Sequence, residues 1–178
     1  MDFQLDAALK APEGMVPVKG GEWGNYIGFL GWLGPYKLPP FYVDRFEVTN
    51  RQYQEFVDKG GYQKQEYWKA QFVREGSEQR CNEAMSLFRH PTGRLGPSTW
   101  EAGHYPEGQV DYPVSGVSWY EAAAYAEFAG KSLPTISQWY EAAPPHTAKY
   151  VISYSNFSPS GLAPAGKFQG IGPYGTYD

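Results

Sequence analysis

Few side chains in this sequence have the chemistry of a nucleophile. Cys81 is the single cysteine among 178 residues, which excludes an intrachain disulfide and a thiolate metal cluster made by this chain alone. A lone thiol is more often a small buried hydrophobe than a nucleophile. Ser118 lies in segment 116–120, Gly-Val-Ser-Trp-Tyr. That segment begins like a nucleophile elbow but has Tyr where the motif requires glycine, so we interpret Ser118 as a helix cap.

Histidines and carboxylates do not form a recognisable metal or acid–base motif either. His90, His104 and His146 are far apart, and none has a second ligand at metal-binding spacing on a predicted helix. Glu121 is better used in a helix cap, and convergence of carboxylates from separate segments cannot be read from one sequence. We therefore predict no catalytic residue and no cofactor-binding residue in this chain.

Aromatic side chains are abundant, at 17% of the sequence. They could line a binding surface, for which Trp68, Trp100 and Trp119 are the candidates, because aromatic residues dominate binding hot spots. The alternative, which we favour, is that the tryptophans form the core of a fold with little regular structure. The six tryptophans are Trp23, Trp32, Trp68, Trp100, Trp119 and Trp139.

Length, charge and hydropathy narrow the class of protein. A chain of this length is expected to form one domain, spanning residues 1–178. The net charge is −4, from 15 basic and 19 acidic residues that are interspersed, so nucleic acid is not an expected partner. No apolar run is long enough for a membrane span and the start lacks the features of a signal peptide. We expect a cytoplasmic protein with no membrane contact.

The elements that would position these residues are strands, loops and capped helices. Residues 15–19 and 41–48 are predicted strands, and 151–154 is a third candidate. Residues 20–40 contain many glycines and prolines and are predicted to be a long loop. A helix is possible over 82–89.

Three helix starts share one local chemistry, the capping box. In each, a Ser or Thr hydroxyl accepts from a free backbone amide, while a Glu or Gln three residues later bonds back. The pairs are Thr49 with Gln52, Ser118 with Glu121, and Thr135 with Gln138. Glycines at 60 and 130 are predicted to end the first two helices, and Pro144 is predicted to stop the third.

Two segments that contain these caps resemble signatures of a known family. Segment 41–50, Phe-Tyr-Val-Asp-Arg-Phe-Glu-Val-Thr-Asn, is followed by Tyr53 and Phe56. Segment 113–143 holds the more specific pattern, with Pro113-Val114, Val117-Ser118-Trp119, Glu121-Ala122, Leu133-Pro134-Thr135 and Trp139. Together they are similar to the formylglycine-generating enzyme, or sulfatase-modifying factor, family over nearly the whole chain. Segments 60–68 and 84–100 resemble the branch associated with bacterial serine/threonine protein kinases.

The resemblance implies an α+β fold related to C-type lectins, with small mixed sheets, two main helices and much irregular loop. It implies a domain that is incomplete at its C-terminal side, because in the family the motif at Tyr177 and Asp178 continues into further segments. The copper-binding catalytic cysteine pair of the enzymes lies in those segments, and Cys81 matches neither member. Copper is therefore expected only if downstream cysteines exist.

Calcium is the other metal that the resemblance implies. Asn156 matches the start of one calcium site of the enzymes, and Asp178 matches the first ligand of a second. Ser158 and Ser160 stand where the first site needs an acidic ligand. Because calcium takes six to eight oxygen ligands, both matches are incomplete.

The resemblance leads to one main hypothesis and two others. The main hypothesis is a non-catalytic module that recognises a protein or small-molecule ligand in a bacterial signalling protein, with a serine/threonine kinase domain as a possible partner in the same polypeptide. The alternative is part of a copper- and oxygen-dependent oxidase that converts a sulfatase cysteine to formylglycine, with its catalytic cysteines outside this chain. The third is a relative of iron-dependent sulfoxide synthases, which would need a histidine-rich helical domain.

Overall fold

The computed structural model describes residues 11–74, 76–79, 88, 95–157 and 161–177. These residues contain small antiparallel sheets and short helices, which makes the fold mixed α and β. They divide into two compact units. The first unit comprises residues 11–46, 134–157 and 166–177, and the second comprises 47–74, 76–79, 88, 95–133 and 161–165. One domain over 1–178 stays a prediction.

In chain order, the first and last strands of the first unit pair with each other. Strand β1 (Met15–Val18) runs antiparallel to β4 (Phe41–Asp44), with Met15 opposite Asp44. The strand predicted over 15–19 is confirmed. The strand predicted over 41–48 is shorter than expected: it ends at Asp44, where the ladder with β1 ends at Met15.

A β-hairpin fills the stretch that was predicted to be a long loop, so that prediction is wrong. Strand β2 (Gly21–Ile27) pairs antiparallel with β3 (Gly31–Leu38) through a single 3₁₀ turn, Gly28–Leu30. The glycines do not break the strands; Gly24 lies at a register shift and Gly31, with φ 73°, follows the turn. The inward face of the hairpin supplies the buried residues Trp23, Ile27 and Leu38.

Three capped helices are present, as predicted. They are α1 (Asn50–Asp58), α2 (Trp119–Phe128) and α3 (Ile136–Ala142). All three capping boxes are confirmed, with the backbone N–H of Thr49, Ser118 and Thr135 donating over 2.9, 2.7 and 2.8 Å to the side chain three residues later. Each box satisfies amides that would otherwise lack partners at a helix start.

The first two helices end in the left-handed glycine geometry that the sequence predicts. Gly60 and Gly130 have φ of 78° and 69°. The next residue in each case donates its N–H back into the last turn, from Gly61 to the Phe56 carbonyl and from Lys131 to the Ala126 carbonyl, both at 2.8 Å. This is the Schellman arrangement. Helix α3 ends at Ala142, before Pro144, as expected.

The strand predicted over 151–154 is wrong, because this segment is helical. The one-turn helix α4 (Ala148–Val151) lies between 3₁₀ turns at Pro145–Thr147 and Ile152–Tyr154. Ser155 Oγ donates to the Val151 carbonyl at 3.0 Å and closes the turn locally. Short apolar runs do not distinguish strand from helix by periodicity. The helix predicted over 82–89 falls outside the described residues, apart from Phe88.

The second unit holds most of the buried aromatic side chains. Its core packs α1 and α2 with a short sheet, β5 (Phe72–Arg74) paired with β6 (Ser77–Gln79), and with the loops around them. The buried cluster comprises Tyr53, Phe56, Tyr62, Trp68, Phe72, Trp100 and Ala124. None of the helices within the described ranges combines the length and apolar composition needed to cross a bilayer.

Candidate functional site

A buried carboxylate lies at the centre of the second unit. Glu121 is the third residue of α2 and is almost fully buried. Its Oε1 accepts a hydrogen bond from the Tyr62 hydroxyl at 2.6 Å, and its Oε2 accepts one from the Ser118 N–H at 2.7 Å. Both oxygens therefore have donors, as a buried charge requires.

A second tyrosine extends this network. The hydroxyl oxygens of Tyr53 and Tyr62 are 3.2 Å apart. Since Tyr62 uses its one proton in the bond to Glu121, Tyr53 is the donor in this pair. We call Tyr53, Tyr62, Glu121 and Ser118 the tyrosine–carboxylate network.

Burial controls the protonation of both tyrosines. Desolvation raises the pKa of Tyr62 well above its ordinary value, and the neighbouring Tyr53 and Glu121 raise it further. Desolvation is also the main reason why the pKa of Tyr53 is raised, with a smaller contribution from the Glu121 charge. Both hydroxyls thus remain protonated near neutral pH and act as donors. They are poorly matched to general acid–base catalysis, which requires a pKa near the working pH.

Asn50, the buried first residue of α1, also links distant segments of the second unit through hydrogen bonds. Asn50 Nδ2 donates to the Gln109 carbonyl at 2.8 Å, and Asn50 Oδ1 accepts from Trp100 Nε1 at 3.0 Å. Its backbone N–H donates to the Tyr112 carbonyl at 2.8 Å. These bonds connect α1 to a loop about sixty residues further along the chain. They account for the polar side-chain atoms of Asn50 as parts of the fold.

Comparison with known proteins places this arrangement in a family. The family model described as "Sulfatase-modifying factor enzyme 1-like domain" matches residues 4–177. The chain belongs to this family. The tyrosine–carboxylate network is therefore a feature of a sulfatase-modifying factor-like domain, and the family resemblance of the sequence is confirmed.

Three relatives show the range of proteins to which this sulfatase-modifying factor-like domain is similar. A hercynine oxygenase of Mycobacterium tuberculosis is 33% identical over 113 residues, which are 59% of this chain and 24% of that protein. A formylglycine-generating enzyme of Thermomonospora curvata is 35% identical over 161 residues, 79% of this chain and 53% of that protein. The serine/threonine-protein kinase pkn1 of Chlamydia pneumoniae is 31% identical over 133 residues, 70% of this chain and 18% of that protein.

The chain therefore spans about a quarter of the length of the hercynine oxygenase and about half of the formylglycine-generating enzyme. The family includes oxidoreductases, as these two names state.

Of the three tryptophans predicted as candidates for a binding surface, two are buried and one is exposed. Trp68 and Trp100 are buried in the core of the second unit, and only Trp119, with 62% of its surface exposed, faces solvent. The physical reason is that both buried indoles find acceptors inside the unit: Trp68 Nε1 donates to the Gly61 carbonyl at 2.8 Å, and Trp100 Nε1 donates to Asn50. The interpretation as core holds for these two.

Of the predicted calcium ligands, the structure describes only Asn156. Asn156 is half-buried and follows the 3₁₀ turn Ile152–Tyr154. Asp178, Ser158 and Ser160 lie outside the described residues, as does Cys81. Within the described ranges, no three His, Cys, Asp or Glu side chains are grouped as metal ligands. Calcium at Asn156 and Asp178 stays a prediction.

Ser118 has the role that its sequence context indicates. Its Oγ accepts from the Glu121 N–H at 3.3 Å, and it caps α2. The sequence also assigned Glu121 correctly to this box. Its bond to Tyr62 was missed, because the two residues are 59 positions apart and no local signal joins them.

A second tyrosine–carboxylate pair, in the first unit, was also missed. Tyr174 donates to Glu141 Oε1 at 2.6 Å in a partly exposed position. This hydrogen bond, helped by partial burial, raises the pKa of Tyr174 to about 12. The pair attaches the segment after residue 166 to α3.

Proposed function

We propose that this chain is a non-catalytic recognition module of a longer bacterial protein. The observation that carries the proposal is the use of Glu121: both of its oxygens are bonded within the core, to Tyr62 and to the backbone of Ser118. A carboxylate that is 5% exposed and has a donor on each oxygen stabilises the fold and is out of reach of a substrate.

The similarity to a kinase supports a signalling context. The matched part is 18% of the chlamydial serine/threonine-protein kinase, so a domain of this kind forms a small part of that protein. We propose that this chain is likewise attached to a kinase domain, and that its ligand is a protein or a small molecule. A cytoplasmic location belongs to the same proposal, because a kinase needs ATP.

A second candidate function is favoured by the names of other relatives. In this alternative the chain is the scaffold of an oxidoreductase, either a formylglycine-generating enzyme or an oxygenase, and its reactive groups lie elsewhere in the polypeptide. Formylglycine formation needs copper-binding cysteines, whereas this chain has one cysteine. The missing thiols would have to come from another segment of the same protein.

An aldehyde assay separates the two candidates. The full-length gene product is incubated with a sulfatase-derived cysteine peptide, copper and oxygen, and the peptide mass is followed. We expect the mass to stay unchanged, while a known formylglycine-generating enzyme converts the same peptide. Conversion by the full-length product would overturn the non-catalytic proposal in favour of the oxidase.

Two finer features are also proposed. The small sheets and short helices are compatible with a relationship to C-type lectins, which an experimental structure compared with lectin folds would test. For calcium, Asn156 supplies one side chain to a site that needs six to eight oxygens. We therefore expect no binding tighter than about millimolar in a calorimetric titration; saturation at micromolar calcium that Asn156→Ala abolishes would contradict this.

A further inference from the structure

We draw no further inference here: the strongest candidate, the exposed aromatic surface patch of Tyr26 and Trp32 on the outer face of the β2–β3 hairpin, carries none because nothing in the described part of the structure shows what covers it.

Discussion

In the second unit, Tyr53, Phe56 and Trp100 lie inside a core whose polar atoms are bonded to one another. In the first unit, Trp32, Tyr150 and Phe157 are largely exposed, and the buried cluster is formed by Trp23, Ile27 and Leu38. Aromatic side chains therefore make up most of the buried cluster of the second unit, whereas several of those in the first unit remain exposed. The difference lies in neighbours, because a ring is buried only where several other elements pack around it.

The largest expected difference in stability between the two units concerns two phenylalanines, Phe56 and Phe157. Phe56 is 0% exposed and packs with Tyr53 and Phe128 at ring distances of 5.3 and 5.4 Å, whereas Phe157 is 72% exposed. We expect Phe56→Ala to lower the free energy of unfolding by about 3–5 kcal/mol. Phe157→Ala should change it by less than about 0.5 kcal/mol. Denaturant titrations measure both, and similar losses would show that the units do not differ.

Two tyrosine–carboxylate hydrogen bonds of equal length, one in each unit, allow the effect of burial on stability to be compared directly. The hydroxyls of Tyr62 and Tyr174 both donate over 2.6 Å, to Glu121 in the core and to Glu141 in a partly exposed position. Tyr62→Phe leaves a buried carboxylate oxygen without its donor, so we expect a loss of about 1–3 kcal/mol.

Tyr174→Phe should cost about 1 kcal/mol or less, since water can replace the lost donor. Tyr67→Phe is a further control, because the Tyr67 ring packs against the core cluster and its substitution keeps the ring. The prediction fails if Tyr174→Phe proves as destabilising as Tyr62→Phe in thermal unfolding.

The helix caps provide a smaller effect in each unit. Ser118→Ala removes the acceptor for the Glu121 N–H and loosens a box whose carboxylate is buried; we expect a loss of about 1–2 kcal/mol. Thr135→Ala, in the first unit, should cost about 0.5–1 kcal/mol because its box is exposed. Ser118→Thr and Thr135→Ser keep the hydroxyl and should restore most of the stability.

The smallest expected effect is a pH dependence that begins only in alkaline solution. Burial raises the pKa of Tyr53 and Tyr62 above the ordinary value of 10.0. Above about pH 10 the unfolded chain loses these protons while the folded chain keeps them. Stability should therefore be unaffected by these groups below pH 10 and should fall as the pH rises further.

Tyr62→Phe removes one of these groups and should make the alkaline decline shallower. Tyr174→Phe should alter the decline less, because partial exposure allows water to stabilise the ionised hydroxyl. Denaturant midpoints recorded from pH 8 to about pH 11, on both sides of the ordinary tyrosine pKa, measure the slope. A midpoint that rises across this range would contradict the assignment of both tyrosines as buried donors.

Local chemistry explains why the helices could be predicted from the sequence. Each capping box is complete within four residues, as for Ser118 and Glu121, and each glycine stop depends on one residue with positive φ. Pro144 ends α3 because its ring cannot continue a helix. None of these interactions needs a distant partner, so the residue types were sufficient.

The formation of the β2–β3 hairpin and the burial of the tryptophans depend on tertiary contacts. Glycine and proline content suggested a loop over 20–40, but pairing of Trp23 with Tyr36 across two strands makes this region a sheet. The buried state of Trp68 and Trp100 depends on acceptors at Gly61 and Asn50. Such contacts join residues that no local pattern relates. The sequence by itself thus determined where helices start and stop and which reactive groups are scarce, whereas packing across distant segments determined which aromatic rings became core and which remained exposed.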